Sequence, residues 1–274
     1  MTPLLNCTIL FSLGGWASSG RTGDFRSIGT YTTFFGSTAW QTGSSRPVGG
    51  SNKHTEPLKS MLSPQIPVAR EGFPFIGFAA FLTLIFAVLD LDFLAILALF
   101  ATAFILYFFR DPERFLPERP DALVSPADGK VILIEDVMDH AFTNGPAHKI
   151  SIFMNVFDVH VNRIPCDGSI DRVIYTPGRF YSADSDQGAL HNEYCATVLS
   201  TTSGRKIAFV QVAGLIARRI VCWLEPEDRV QRGRRFGLIR FGSRVDLYLP
   251  KETEIKVTVG QKVTAGETII GNLA

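Results

Sequence analysis

The chain has 274 residues, 46% of them hydrophobic and 19% charged, with 27 basic against 26 acidic side chains and a formal net charge of +1. That balance excludes a dedicated nucleic-acid binder, whose affinity rests on excess Lys and Arg, and leaves any anion recognition to a local cluster. Cys7, Cys166, Cys195 and Cys222 lie far apart without a C-x-x-C pair, which argues against a zinc ribbon, a redox motif or a disulfide scaffold and for reduced, cytosol-facing thiols.

Three compositions follow one another. In residues 1–60, 27 positions are Gly, Ser or Thr and seven are charged, with no sustained period of 2 or 3.6. That stretch reads as a low-complexity, disordered extension without a catalytic role. Leu4–Leu13 is apolar but lacks the basic n-region of a signal peptide. Met61 offers an alternative start, which would make the extension an over-long reading of the gene.

Between Gly72 and Phe109 only Asp90 and Asp92 are charged, and they separate the apolar runs Phe75–Leu89 and Phe93–Phe109. Each run is slightly short of the roughly 20 residues that cross a ~30 Å hydrocarbon core. The pattern predicts an apolar helical hairpin within residues 61–109 that dips into a bilayer or barely spans it, with the Asp pair at its turn. The alternative, a buried helical pair of a soluble core, needs a large protein around it, and residues 110–274 read mostly as strands. Arg70 before the hairpin and Arg110 and Arg114 after it put positive charge at both ends, which places the domain that follows on the cytoplasmic face of the cell membrane.

Residues 110–274 carry 21 basic and 21 acidic side chains. They contain β-type runs at Lys130–Ile134, Lys149–Val156, Ser169–Tyr175, Ala196–Ser200, Lys206–Val212, Phe236–Phe241, Val245–Leu249 and Glu254–Val259, with Ser203-Gly204 as a hairpin signal. Short strands with Gly and Pro punctuation predict a compact β-rich (α+β) domain with sandwich-like strands.

Within that domain, Phe236–Pro250 (F-G-L-I-R-F-G-S-R-V-D-L-Y-L-P) puts Gly242-Ser243 between two β-type runs. Taken alone, the pair fits a structural bulge as well as a close approach by reacting atoms. His160 lies in a β-type run whose alternation could aim it inward, where it could pass a proton near neutral pH or serve only as a core residue. Asp128, in S-P-A-D-G, has a purely local turn reading beside any chemical one. Between Arg218 and Arg244 eight arginines stand against three acids, a local net of +5. That segment is either a solvated basic face or a phosphate-binding and lipid-surface patch, with Arg218, Arg219 and Arg240 as candidate substrate contacts.

Five ordered motifs carry a resemblance: F-F-R-D-P-E-R (Phe108–Arg114), S-P-A-D-G-K-V (Ser125–Val131), F-D-V-H-V-N-R-I-P (Phe157–Pro165), Q-V-A-G-L-I-A-R-R-I-V (Gln211–Val221) and R-G-R-R-F-G followed by F-G-S-R-V-D. From about Ile66 to the C-terminus the chain resembles the short bacterial type of phosphatidylserine decarboxylase proenzyme. The resemblance implies self-cleavage between Gly242 and Ser243 by an N-to-O acyl shift and β-elimination. Ser243 then becomes an N-terminal pyruvoyl group, the covalent cofactor, with no metal. It further implies a Schiff base between that group and phosphatidylserine, release of carbon dioxide and phosphatidylethanolamine, a role in phospholipid biosynthesis, and a heterodimer of large chain 1–242 (or 61–242) and small chain 243–274 at membrane lipid.

By the same resemblance His160 is catalytic and Asp128 assists cleavage. Longer relatives place a second histidine three residues after the first, where this chain has Arg163, so the base for self-cleavage is left open between His160 and another group. His191-Asn192-Glu193 resembles a family N-E-R-N segment with Tyr194 in place of Arg, and Asn192 and Glu193 are site candidates beside the reading of a polar loop. A competing similarity lies in Val257–Ile270, whose V-x-x-G-x-x-V-x-x-G-E spacing matches lipoyl and biotinyl carriers. No attachment-lysine triplet stands at the expected distance, and Lys262 falls inside the strand pattern. A membrane-anchored binding module with an intact Gly-Ser bond is the remaining alternative.

Overall fold

A computed structural model describes residues 67–119, 121–179, 181–183, 191–214, 219–240 and 243–273. The expectations for residues 1–60, and those for Arg218 and Gly242, lie outside the described residues. After one 3-10 turn at Arg70–Gly72, helix α1 runs over Phe73–Val88 and α2 over Asp92–Phe108, within two residues of the two apolar runs. Pro74 stands in the first turn of α1, where a missing N–H costs nothing. At the tip, Asp90 adopts a left-handed φ of 54°, which a short polar side chain tolerates. Asp92 opens α2, where its charge meets the positive end of the helix dipole.

The two helices meet over small residues, with Ala79 and Thr102 buried between them. The hydroxyls of Thr83 and Thr102 lie 3.2 Å apart, and each also reaches a carbonyl one turn back, at Ala79 and Ala98. The larger side chains point outward in every direction: Phe78, Phe81, Leu84, Phe93, Leu97 and Phe100 are all exposed. A helix apolar on all sides has no polar face to present to water. At 1.5 Å per residue, 16 and 17 residues make helices of about 24 and 25 Å.

Beyond the hairpin the chain is built of strands: β1 (Ala122–Val124), β2 (Gly129–Asp139), β3 (Gly145–Met154), β4 (Val161–Arg163), β5 (Gly168–Thr176), β6 (Tyr194–Thr201) and β7 (Lys206–Val212), followed by β8 (Ile220–Cys222), β9 (Arg229–Val230), β10 (Arg235–Ile239), β11 (Ser243–Pro250), β12 (Glu254–Ile255), β13 (Lys262–Val263) and β14 (Ile269–Asn272). They form an eight-stranded sheet in the order β13-β2-β3-β11-β7-β6-β5-β9 and two three-stranded sheets, β1-β14-β12 and β4-β10-β8. All the ladders are antiparallel. The β-rich fold with a preceding apolar hairpin is therefore as the sequence predicts.

Strand β11 shows how the pattern works. Its period of two sends Val245, Leu247 and Leu249 into the main core with Val131, Ile152 and Phe209, and Tyr248 to the opposite face beside Phe142 and Ala208. The Ser203-Gly204 signal is the turn between β6 and β7, where Gly204 takes a φ of 79° and donates to the Thr201 carbonyl. The expected run Glu254–Val259 is a strand only over Glu254–Ile255. Val257 is buried, but the chain then turns through Gly260 at a φ of 92° so that Gln261 can reach the Val131 amide. In the tail that resembles carrier domains, Lys262 sits within β13 opposite Lys130 of β2, not at a hairpin tip.

Gly129 opens β2 so close to β3 that a Cβ would lie 2.2 Å from the Phe153 carbonyl oxygen. Backbone cannot yield there as a flexible side chain would. Gly129→Ala is expected to destabilise the protein by on the order of 3 kcal/mol, read as a clear drop in Tm. An unchanged Tm would mean that the β2–β3 contact is loose.

Candidate active site

The segment after α2 ties the hairpin to the strands. Residues 111–119 run in extended, irregular backbone, and four side chains in or just before them find partners far away in sequence. Phe108 and Phe109 are buried against Val159, Val161 and Leu238. Asp111 accepts from Arg235 Nε at 2.5 Å and faces Arg163 Nη2 at 3.4 Å. Arg114 Nη2 lies 2.6 Å from Asp128 Oδ2. The F-F-R-D-P-E-R motif is thus a strap whose aromatic end and alternating charges clamp two other motifs.

Asp128 sits in a stitched loop. Ser125 Oγ donates to the Ala127 carbonyl, the Pro126 carbonyl accepts from Arg163 N, and Gly266 N donates to the Ser125 carbonyl. Asp128 Oδ1 accepts from Ala265 N at 2.7 Å. Burial pushes its carboxyl above the usual Asp range, the Ala265 amide and the Arg114 guanidinium pull it down, and the charge of Asp158 adds a further upward push. Burial prevails over a short ion pair because the side chain is only 15% exposed.

His160 precedes β4 and is 2% exposed. Its ring lies against Phe108, with centroids 4.4 Å apart, and Nδ1 is 2.9 Å from the Asp158 carbonyl oxygen. Since a carbonyl only accepts, Nδ1 carries the proton and Nε2 is the basic nitrogen. Burial drives the imidazole down to about 4, opposed by the Asp158 hydrogen bond and aided by the positive charge of Arg110. The ring is therefore neutral at physiological pH. Arg163, three residues on, is buried and structural in its contacts: Nη1 donates to the Gly233 carbonyl and Nη2 to the Pro112 carbonyl.

Ser243 is the first residue of β11, opposite Met154 of β3, and is fully buried. Its Oγ has no hydrogen-bond partner among the described residues. Beneath it, Gln211 Nε2 donates to Asn162 Oδ1 at 2.9 Å and Asn162 Nδ2 approaches Met154 Sδ at 3.6 Å. That row joins β7, β4 and β3 at the head of β11. The His160 carbonyl accepts from Ile239 N at 3.3 Å. Ser243 follows Ile239 by four residues, at most about 14 Å of extended chain. Asp128 lies one strand further, where Gly129 abuts Phe153, the residue before Met154.

The arginine-rich segment does not form one patch. Arg244 forks onto Asp246 and donates to the Ala183 carbonyl. Arg235 is held by Asp111 and Glu113. Arg232 donates to the carbonyls of Arg119, Ala122 and Pro117. Arg219 and Arg240 are different. They stand together, joined by Arg240 N to the Arg219 carbonyl at 3.2 Å, and the Arg240 guanidinium lies over the Phe75 ring at 5.0 Å, at the root of α1. Burial and the charge of Arg219 both lower Arg240 below the ordinary arginine value.

Asn192 is buried with its amide spent on backbone: Oδ1 accepts from Tyr181 N, and Nδ2 donates to the carbonyls of Tyr181 and Ala213. Glu193 accepts from the Tyr175 hydroxyl, whose pKa it raises to about 12, with Arg219 opposing. Among the described residues no group of three or more His, Cys, Asp or Glu side chains is placed to hold a metal ion. Sequence reasoning gave no site role to Phe108, Gln211 or Asn162, and gave Arg114 only a part in orienting the hairpin. All four lay inside quoted motifs, but nothing in their spacing reveals a partner fourteen or fifty residues away.

The phosphatidylserine decarboxylase family profile matches residues 101–271. The phosphatidylserine decarboxylase proenzyme of Desulfotalea psychrophila is 68% identical over 213 residues, covering 78% of this chain and all of the relative. Those of Syntrophus aciditrophicus and Cupriavidus taiwanensis are 53% and 44% identical over 207 residues each, covering 74% and 75% of this chain and 96% and 95% of the relatives. Over the strap, the Asp128 loop, the His160 turn and the Ser243 strand, the chain belongs to the phosphatidylserine decarboxylase family.

Proposed function

We propose that this protein is a self-processing decarboxylase that converts phosphatidylserine to phosphatidylethanolamine and carbon dioxide. The observation that carries the reading is Ser243: a hydroxyl buried at the head of a central strand, without a hydrogen-bond partner among the described residues and preceded in sequence by a glycine. A buried polar atom left unpaired costs stability, so a residue destined for conversion suits the position better than one kept for the fold.

In the cleavage, Ser243 Oγ attacks the Gly242 carbonyl carbon, the peptide C–N bond breaks, and an ester joins the two parts while the amine of residue 243 is freed. Removal of the Ser243 Cα proton expels the Gly242 carboxylate and leaves dehydroalanine. Its imine tautomer takes up water and loses ammonia. Gly242 has no Cβ to block the attack. In this reading His160, neutral and with Nε2 as its basic nitrogen, takes that proton, and Asp128 with Arg114 and Asp158 sets the charge around the reaction. The pyruvoyl group supplies a carbonyl that binds the substrate amine and accepts the electron pair released with the carboxylate. His160 then returns a proton to the carbon that has lost carbon dioxide.

Arg219 and Arg240, beside Glu193 and the root of α1, are placed to hold the anionic headgroup, and Asn192 positions the loop that carries Glu193. The domain division follows the same reading: a hairpin within residues 61–109 and a decarboxylase domain over 110–274, cleaved into large and small chains that remain together. The hairpin, apolar on every side, lies in the bilayer with the domain on the cytoplasmic face.

Two measurements check this. Ser243→Ala should remain a single chain on a denaturing gel, whereas the unaltered protein separates into two. His160→Ala should lose at least about 100-fold in carbon dioxide release, the scale of general acid–base catalysis; full activity would remove His160 from the mechanism. The pH dependence follows from the burial of His160. Its native pKa of about 4 lies below the ordinary 6.5, so between those values the unfolded chain binds a proton that the native protein does not. Stability should therefore fall as pH drops from about 6.5 to about 4, and urea unfolding of His160→Gln should show a shallower fall. Equal slopes would place the imidazole in contact with water.

A further inference from the structure

The turn between β3 and β4 is rigid, polar inside and aromatic at its tip. Asn155 N donates to Asp158 Oδ2 at 2.9 Å, Phe157 N to Asn155 Oδ1 at 2.8 Å, and Asp158 N to the Asn155 carbonyl at 3.0 Å. These bonds hold the Phe157 ring outward, 63% exposed. A turn of this kind needs no phenylalanine, and in water the exposed ring is a liability. The backbone of the tip is fixed to the hairpin: the Phe157 carbonyl accepts from Tyr107 Oη at 3.3 Å and from Arg110 Nη2 at 2.7 Å. The ring meets Phe104 edge-on, with centroids 6.5 Å apart, and Arg110 stacks on Tyr107 at 3.9 Å. Phe104 and Tyr107 are themselves exposed.

We infer that Phe157 is a second membrane contact, seated among lipid acyl chains beside Phe104 and Tyr107 with Arg110 at the anionic headgroups, and that it fixes the height of the catalytic turn above the bilayer. The inference rests on the reading that the hairpin lies in the bilayer. Three observations select lipid as the occupant. The aromatic patch is continuous with the exposed apolar surface of α2. Its composition, aromatic rings with one arginine at the end of an apolar helix, is that of a membrane boundary. The same short turn also bears His160, whose Nδ1 is bonded to the Asp158 carbonyl. Phe157 is thus a positioning residue: the lipid that grips its ring presents the headgroup of a neighbouring lipid to the site at one fixed depth.

The test compares two substrates with the full, processed protein. One is phosphatidylserine in phosphatidylcholine vesicles, and the other is a short-chain phosphatidylserine dissolved as monomers. In Phe157→Asp the ratio of vesicle to monomer kcat/KM should fall about tenfold or more, and Phe157→Leu should restore it, since the effect depends on apolar transfer. The tryptophan added in Phe157→Trp should be quenched by vesicles with brominated acyl chains, measured as the difference from the unaltered protein. An unchanged ratio in Phe157→Asp, equal losses on both substrates, or absence of quenching by brominated lipid would overturn the inference. Flotation of the unaltered protein with the same vesicles separates the two readings. Failure to float removes the hairpin reading, whereas flotation with an unchanged ratio removes only the role of Phe157.

Discussion

Strand β11 is held from both sides, by β3 over all eight of its residues and by β7 over five. This constraint governs what a break before Ser243 can do. A chain cut there cannot leave, because the segment beyond it supplies Val245, Leu247, Leu249, Val257, Val263 and Ile270 to the main core. Burying six such side chains contributes on the order of 10 kcal/mol, with the strand ladders in addition. The new chain end would remain beside the row of Gln211, Asn162 and Met154.

The other motifs converge on the head of that strand because the strap leaves them no alternative. Asp111 engages arginines from β4 and β10, Arg114 engages the Asp128 loop, and Phe108 covers His160. The ring therefore sits in apolar surroundings that keep it neutral, while Asp128 keeps a cationic partner in spite of its burial. Environment alone thus gives the imidazole and the carboxylate opposite electrostatic settings. The strap also ties the hairpin to this region: its last helical residue, Phe108, packs on the His160 ring.

Much of the fold was legible in the sequence. The hairpin showed as two apolar runs around two Asp residues, and long strands such as β3 and β7 showed as β-type apolar runs. The short strands β1, β8, β9 and β14 were not legible, since two to four residues hold too little alternation to distinguish strand from loop. Their pairing is decided by tertiary contact. At the site, Ser243 and His160 could be singled out from motif context, but their burial could not. The basic segment at Arg218–Arg244 illustrates the limit. Its net charge suggested one surface, whereas Arg232, Arg235 and Arg244 bond internally and, among the described residues, the Arg219–Arg240 pair stands at the root of the hairpin. Charge counts along a chain cannot report which guanidinium has already met a carboxylate.

The central claim is that Ser243 is converted, not merely buried. Intact mass spectrometry of the small chain from purified, active protein addresses it directly. The chain should comprise the 32 residues 243–274, be lighter by one ammonia than the encoded peptide, resist Edman degradation, and gain the mass of one hydroxylamine adduct at its carbonyl. A small chain beginning with unmodified serine, or a full-length chain in a preparation that releases carbon dioxide from phosphatidylserine, would contradict the account.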